Sequence, residues 1–189
     1  MKVQTRVTPK SFSAIGLLIL FLALGGSLWA QNAEQAELPM SFRDISLGMG
    51  IDALKSALQQ DGLFQFRGDR DVSFLPSREE NLIETAGYSF MRRAFFQLKD
   101  DRLFMMAYTL DVNLIDHYSV FTTLVNKYGE PQRINPREAV WESDAIRLSI
   151  ERPLTVKYID LNVFNTLLEE SQQSAANELY LREEFLNGF

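Results

Sequence analysis

Cysteine is absent from the 189-residue chain, and histidine occurs once, as His117. The chain can therefore form no disulfide and no thiolate metal site. With one histidine, a metal site would consist almost entirely of carboxylates, which suits calcium or magnesium better than zinc. No G-x-S-x-G nucleophile motif occurs. We expect no catalytic residue, no metal and no cofactor, and we interpret His117 as a solvated residue at a helix start, near Asn113 and Asp116.

Basic residues and a long apolar run mark the N-terminus. Residues 1–10 carry Lys2, Arg6 and Lys10 and no acid, and Ala14–Leu24 is apolar apart from a single glycine. A charged segment before a short apolar one is typical of a secretory signal peptide. We predict a signal peptide over 1–30, cut after Ala30, and a periplasmic or secreted protein. An uncleaved membrane anchor is the alternative.

Positive charge is scarce in the rest of the chain. Without the three basic residues of the leader, 16 of the 19 remain against 25 acidic residues, a net charge of −9. Nucleic acid binding needs clustered Lys and Arg that replace phosphate counterions. The composition therefore disfavours nucleic acid and anionic membrane surfaces as partners.

The remaining chain is long enough for one domain with a sizeable core. We predict a flexible tether over 31–41 and a single α+β domain over 42–189. Within it we expect a first unit over 42–110, a second over 111–161 and C-terminal helices over 162–189. Each of the two units would be a helix followed by antiparallel strands in a meander.

The second unit gives the clearest pattern. Phe121, Leu124, Val125 and Tyr128 lie on one helical face, and Gly129 ends the helix. Three strands follow, in which apolar residues alternate. A turn at Ser143 and Asp144 and then a five-residue loop based on Ile150 and Leu154 predict these pairs: Trp141 with Ile146, Ala139 with Leu148, Ile146 with Tyr158, and Leu148 with Val156.

The first unit opens with DISLGMGIDALKSALQQDG, in which Ile51, Leu54 and Leu58 share a helical face. The stretch ISLGMGIDALKSAL, residues 45–58, resembles the start of the BamE-like and β-lactamase-inhibitor-protein-like α+β domains of bacterial envelopes. The resemblance implies short helices before an antiparallel sheet, with two such units in tandem in some members. It also implies a binding or scaffolding module rather than an enzyme.

Residues 63–89 carry the weakest pattern. Leu63 and Phe64, and then Val72, Phe74 and Leu75, are strand candidates around a polar turn over 67–71, and 76–80 is predicted as loop. The Arg-Gly-Asp triplet at 67–69 has the sequence of an integrin-type adhesion motif. We interpret it as an ordinary charged turn.

The segment FMRRAFFQLKDDRLFMMAYTL predicts a hairpin about Asp100 and Asp101. One face would hold these pairs: Leu98 with Leu103, Phe96 with Met105, and Ala94 with Ala107. The opposite face is also apolar, although a solvated sheet face is normally polar. Its candidate binding residues are Arg93, Phe95, Phe104, Met106 and Tyr108.

Two interpretations account for this second apolar face. Amphipathic helices at the C-terminus could cover it, with Val163, Phe164, Leu167 and Leu168 on one face, and with Leu179, Leu181, Phe185 and Leu186 on another. Alternatively, the face is open and takes a protein or lipid-like partner, since aromatic and Met side chains are enriched at interfaces.

The sequence thus favours an exported, non-catalytic binding or assembly module of the cell envelope. The alternative is a hydrolase of an envelope polymer that uses distant carboxylates. Adjacent acids, such as Glu79 with Glu80 and Glu183 with Glu184, are interpreted as solvated surface because neighbouring residues on a helix point apart. A flat apolar patch would favour the first function, and a cleft with two converging carboxylates would favour the second.

Overall fold

An eight-stranded antiparallel sheet forms the centre of the fold. The computed structural model describes residues 37–75 and 80–189, which fall in the compact unit Gln35–Phe189. The elements in chain order are β1 (Ser41–Phe42), β2 (Ile45–Ser46), α1 (Ile51–Gln60), a 3-10 turn (Gly68–Asp71), β3 (Val72–Leu75), β4 (Glu80–Ala86), β5 (Met91–Lys99), β6 (Arg102–Leu110), α2 (His117–Tyr128), β7 (Arg133–Ile134), β8 (Glu138–Glu142), β9 (Ile146–Glu151), β10 (Thr155–Asp160) and α3 (Leu161–Asn187).

The sheet consists of two meanders that meet at their last strands. The strand order is β3-β4-β5-β6-β10-β9-β8-β7, so β6 pairs with β10 at the centre. A helix precedes each meander, α1 in the first unit and α2 in the second. The predicted α+β class, with two helix-plus-meander units, is therefore confirmed.

The core lies on the face of the sheet that carries α1 and α2, which we call the inner face. A row of inward side chains crosses seven strands: Val72, Ile83, Phe96, Met106, Tyr158, Leu148 and Trp141. Leu54 and Leu58 of α1, and Leu124 of α2, belong to the same buried cluster. Each helix therefore buries the apolar face that its sequence periodicity predicts.

The tip of the β5–β6 hairpin holds the start of α1. Gly50 is the N-cap residue and has no side chain to satisfy the free N–H groups of the first turn. The Asp101 carboxylate accepts the Ile51 N–H instead, at 2.9 Å. Leu103 exchanges backbone hydrogen bonds with the same loop, accepting from Gly48 N–H at 2.7 Å and donating to the Met49 carbonyl at 2.9 Å. A Cβ at position 50 would lie 3.2 Å from an Asp101 carboxylate oxygen, so glycine allows this close approach.

Helix α2 is bounded by the residues that the sequence indicates. Asp116 caps its N-terminus and accepts the Ser119 N–H at 2.9 Å. Gly129 follows it with a φ of 79°, a conformation that favours glycine. Its carbonyl accepts the indole N–H of Trp141 at 2.7 Å, which ties the end of α2 to β8.

The predicted pairings of β8, β9 and β10 are wrong by two residues. The observed partners are Trp141 with Leu148, Ala139 with Ile150, Leu148 with Tyr158, and Ile150 with Val156. The first turn is formed by Asp144 and Ala145, since Ser143 N–H bonds to the Ile146 carbonyl at 2.9 Å. The second loop has three residues, 152–154, rather than five. A shift of two residues leaves every side chain on its predicted face, so alternation alone does not exclude it.

The described part of the predicted tether is structured, and the last residue of the predicted loop at 76–80 belongs to a strand. Leu38, assigned to the tether, is buried in the core, and β1 begins at Ser41. Strand β4 begins at Glu80. Phe64 forms only an isolated bridge with Gly87, so Leu63 and Phe64 do not form a strand. The predicted signal peptide, residues 31–36 of the tether and residue 79 lie outside the described residues.

Both charged side chains of the Arg-Gly-Asp triplet form ion pairs within the domain. Arg67 binds the buried Asp71 carboxylate through its guanidinium and its backbone N–H, at distances of 2.5 to 2.9 Å. Asp69 accepts a hydrogen bond from Lys55 at 2.8 Å. These contacts support the interpretation of the triplet as a charged turn.

The C-terminal segment is one helix rather than the two that the sequence predicts. Helix α3 runs for 27 residues, and Asp160 caps its start. Leu161 is buried, and Val163, Phe164 and Leu167 are half-buried. From Leu168 onward, every residue is exposed. Only the first turns of α3 therefore pack on the sheet.

Candidate functional site

The candidate binding surface lies on the outer face of the sheet, opposite α1 and α2. Leu82, Phe95, Met105 and Ala107 form its apolar part, which we call the outer patch. Ala107 is buried, and the other three side chains are half-buried. Strands β4, β5 and β6 hold them at adjacent positions of one face. The patch is therefore an open and gently twisted surface rather than a cavity.

A charged pair borders the outer patch. Arg93 on β5 contacts Glu84 on β4, with 2.7 Å between guanidinium nitrogen and carboxylate oxygen. Both side chains remain substantially exposed, at 58% and 44%. An arginine beside aromatic and methionine side chains is a common composition for the surface of a protein interface.

The structure does not bring the five predicted binding residues together. A β-bulge at Phe104 shifts the β5–β6 register after Leu98–Leu103, so that Phe96 pairs with Met106 and Ala94 with Tyr108. The predicted pairs with Met105 and Ala107 are therefore wrong. Met106 and Tyr108 point to the inner face, whereas Met105 and Ala107 point outward.

Met106 and Tyr108 belong to the core. Met106 is fully buried, and the Tyr108 hydroxyl donates to its sulfur at 3.2 Å. The Tyr108 ring packs against Phe42, with 4.4 Å between the ring centroids. Burial raises the pKa of Tyr108 well above its usual value, so it stays neutral. Phe104, the bulged residue, is also buried.

Helix α3 covers the outer face only in part. The Arg147 guanidinium, on β9, lies 5.8 Å from the centroid of the Phe164 ring. Further along, Leu179, Leu181, Phe185 and Leu186 are 56% to 66% exposed. The predicted packing of the C-terminal segment on the sheet is therefore confirmed for the first turns of α3, whereas these four residues do not cover the sheet.

A second candidate region is a cleft of about 460 Å³ at the start of α2, which we call the α2 cleft. Phe121, Ile134 and Ala139 supply its apolar lining. Its polar lining comes from the start of α2, from the segment between β7 and β8, and from the loop after β9: Asp116, His117, Tyr118, Asn135, Glu138 and Arg152. A neighbouring groove shares Arg152 and adds Arg137.

The two carboxylates of the α2 cleft already have hydrogen-bond partners. Asp116 accepts from the Ser119 hydroxyl at 2.6 Å and from its N–H, and these bonds hold the pKa of Asp116 below its usual value. Glu138 lies 3.4 Å from Arg133 and from Asn135. A glycoside hydrolase needs one carboxyl group that stays protonated as the acid. Asp116 is unsuited to that role.

His117 is not the solvated residue that the sequence predicts. It is half-buried, and its Nε2 atom is buried with no hydrogen-bond partner among the described residues. Burial and the charge of Arg152 lower its pKa, and Asp116 opposes them weakly. The imidazole is therefore neutral at neutral pH.

Glu80 also departs from its predicted role as solvated surface. It is buried, and its carboxylate accepts a hydrogen bond from Gln97 at 2.5 Å. It belongs to the outer face, two residues before Leu82 of the outer patch. Leu82 is not among the predicted binding residues, because polar residues interrupt the apolar alternation over 80–86 and no strand was predicted there.

A family model, described as the TP0088 domain, matches residues 40–170, more than half of the chain. The chain belongs to the TP0088 domain family. The TP0088 domain spans both meanders, the outer patch and the α2 cleft. It ends within α3, so residues 171–187 of that helix lie beyond the family match. No curated protein and no solved structure matches the chain.

Two further observations concern the described part of the TP0088 domain chain. Within residues 37–75 and 80–189, no three His, Asp or Glu side chains are grouped so that they could hold a metal ion. Over the same ranges, no helix combines the length and the apolar character that a membrane crossing requires.

Proposed function

We propose that the chain is a non-catalytic binding or assembly module of the bacterial cell envelope, exported by its N-terminal segment. In this proposal the outer patch takes a protein partner. The observation that carries it is the apolar outer patch, which lies among polar side chains such as Glu84 and Gln97 and which α3 leaves uncovered beyond its first turns. Solvated antiparallel sheets normally present polar side chains on their free face.

The shape of the patch favours a protein over a small lipid-like ligand. Small-molecule sites are concave and enclose most of the ligand. Leu82, Phe95 and Met105 instead lie on three adjacent strands, with Gln97 between Leu82 and Met105, and such an open surface suits another flat surface. The Arg93–Glu84 pair supplies a polar rim, as protein interfaces usually have.

Site-specific photocrosslinking in the native envelope tests the proposal. A photoreactive phenylalanine analogue replaces Phe95, and a matched control replaces Phe74, which is 60% exposed on the edge strand β3. We expect a protein adduct from position 95 and none from position 74. An adduct of lipid mass would identify the other ligand class, and the absence of any adduct at 95 would reject the proposal.

A second variant tests whether the patch itself binds. With the crosslinker at position 82, Phe95→Glu places a charge on the half-buried surface and should abolish the adduct, whereas Phe95→Leu should retain it. Circular dichroism of both variants checks that the sheet is intact. Mass spectrometry of the mature protein tests export, with an N-terminus at Gln31 as the expected result.

The competing proposal is a hydrolase of an envelope polymer. The α2 cleft is the observation that favours it, because Asp116 and Glu138 line the same space. Turnover of envelope polysaccharide or peptide that disappears in Glu138→Gln would support this alternative. Unchanged polymer would leave the binding role as the better account.

A further inference from the structure

The exposed part of α3 presents an acidic and apolar face with no partner. Glu178, Leu181 and Phe185 have the i, i+3, i+7 spacing with which helices anchor in grooves. Leu181 is 62% exposed and Phe185 is 66% exposed. Within the described chain, the Glu178 carboxylate makes no ion pair or hydrogen bond. Arg182, four residues after Glu178, lies on the same face, but the exposed helix from Leu168 onward carries five acidic residues against this one arginine. This face, which we call the α3 anchor, therefore presents two apolar side chains on a negatively charged helix.

The α2 cleft has the complementary character. Its floor is apolar, and Ile134 at its edge is 66% exposed. Glu138 and Glu151 have cationic partners, Arg133 and Lys157. Asp116 binds the uncharged Ser119 and keeps its negative charge. The guanidinium groups of Arg137 and Arg152 have no carboxylate partner among the described side chains, so the net unmatched charge of the cleft and the groove is positive.

The α3 anchor cannot fill the α2 cleft of its own chain. Helix α3 starts at the end of β10, whereas Arg152 precedes the beginning of that strand. The six residues of β10 separate these points by roughly 20 Å. The helix also leaves over the outer face, and the cleft lies beside α2 on the inner side. A continuous 27-residue helix cannot turn back across the sheet.

We propose that the α3 anchor of one copy docks in the α2 cleft of a second copy of this chain. Leu181 and Phe185 enter the apolar part of the cleft, and Glu178 faces Arg152. Both surfaces belong to one sequence and have opposite charge, and the second copy supplies what a single copy cannot bring together. The inference does not depend on the outer patch. Its test is separate from the crosslinking experiment.

Sedimentation velocity of the chain from Gln31 onward, which contains the compact unit, measures the association. We expect concentration-dependent self-association in the micromolar range, typical of small interfaces, that weakens several-fold between about 50 and 500 mM salt. A monomer at all concentrations, or an association that salt strengthens, would overturn the proposal. If instead two α3 helices paired through their acidic surfaces, salt would screen their repulsion and strengthen the association.

Charge exchange identifies the contact. Arg152→Glu and Glu178→Arg should each weaken self-association at least ~10-fold, and the double variant should recover much of the loss. Arg70→Glu is the matched control, because Arg70 is an exposed arginine of the 3-10 turn beside the opposite edge strand. Equal effects of Arg70→Glu and Arg152→Glu, or no recovery in the double variant, would exclude the pairing of Glu178 with Arg152.

The absence of cysteine permits a direct test of proximity. Ile134→Cys and Leu181→Cys are made in separate chains, which are then mixed under mild oxidation. We expect a disulfide between the two different variants, because the proposal places these exposed positions side by side in different copies. Phe74→Cys mixed with Leu181→Cys is the control. Equal crosslinking of the two mixtures would contradict the docking geometry.

Discussion

The contact between Asp101 and the start of α1 gives a sharp test of how the first unit is held together. The Asp101 carboxylate accepts the Ile51 N–H at 2.9 Å, across 50 residues of sequence. Asp100 and Asp101 both occupy the hairpin turn with positive φ, 49° and 58°. Asp101 caps the helix, and Asp100 makes no comparable contact. The two residues therefore form a matched pair in which only one can lose a helix cap.

The expected magnitudes follow from this difference. Asp100→Ala should cost about 1 kcal/mol, because alanine tolerates the left-handed conformation less well than aspartate. Asp101→Ala carries the same cost and also loses the cap, about 1 kcal/mol more. Asp101→Asn keeps an oxygen acceptor and loses only the charge at the helix start, about 0.5 kcal/mol. The predicted order of stability loss is Asp101→Ala, then Asp100→Ala, then Asp101→Asn.

Urea unfolding followed by far-ultraviolet circular dichroism measures the three variants. With a urea slope of about 2 kcal/mol/M, Asp101→Ala should unfold at a midpoint about 0.5 M below that of Asp100→Ala. The corresponding difference in Tm is about 3 °C. Equal midpoints for the two alanine variants would refute the assignment of Asp101 as the cap of α1.

Three further predictions concern the ion pair at 67–71, the end of α2 and the α2 cleft. Arg67→Ala should lower the urea midpoint at pH 7 far more than at pH 3. Burial alone would raise the pKa of Asp71, but hydrogen bonds from Arg67 outweigh burial and lower that pKa. The stabilisation by the ion pair is therefore present above about pH 4 and is lost as the pH falls further. An equal loss of stability at both pH values would contradict this prediction. Trp141→Phe should cost about 1 to 2 kcal/mol in urea unfolding, because the Gly129 carbonyl loses its donor at 2.7 Å; an unchanged midpoint would show that water replaces the indole. Nuclear magnetic resonance titration of His117, the single histidine, should give a pKa below 6.5, since burial and then Arg152 lower it. The unfolded chain then binds a proton at His117 more readily than the folded chain, so the free energy of unfolding should rise with pH just below 6.5. His117→Asn should flatten that rise. A measured pKa at or above 6.5 would contradict the burial of Nε2.

Local patterns were sufficient to predict the helices of both units and the tip of the main hairpin. Leu54 with Leu58, and Phe121 with Leu124, mark faces that only a helix can align. The Asp100–Asp101 turn follows from residues that tolerate positive φ. These elements depend on sequence neighbours, so no tertiary information is needed.

The errors arise where two arrangements satisfy the same pattern. A register shift of two residues in β8, β9 and β10 keeps Leu148 and Val156 on the inner face, so hydrophobicity does not distinguish the alternatives. The bulge at Phe104 exchanges Met105 with Met106, and both are methionine. Alternation in an apolar strand cannot locate an inserted residue. Among the candidate binding residues on the β5–β6 hairpin, Met106 and Tyr108 were therefore assigned to the wrong face of the sheet.

The continuity of α3 and the strand β4 were missed for a different reason. The segment SQQSAAN has no apolar face, yet Ala175 and Ala176 favour helix strongly, and flanking turns extend through it. In β4, Glu80 and Thr85 are polar but buried, so the strand lacks the expected alternation. Both features depend on intrinsic propensity or on tertiary partners rather than on amphipathic pattern.

Because β6 pairs with β10 at the centre, the sheet consists of two four-stranded halves that are joined by one pair of strands. Each half, if expressed alone, would have an unpaired edge strand, β6 or β10, that a second copy of the same half could pair with in the antiparallel direction. Separately expressed fragments cut near Val112 should therefore reassemble.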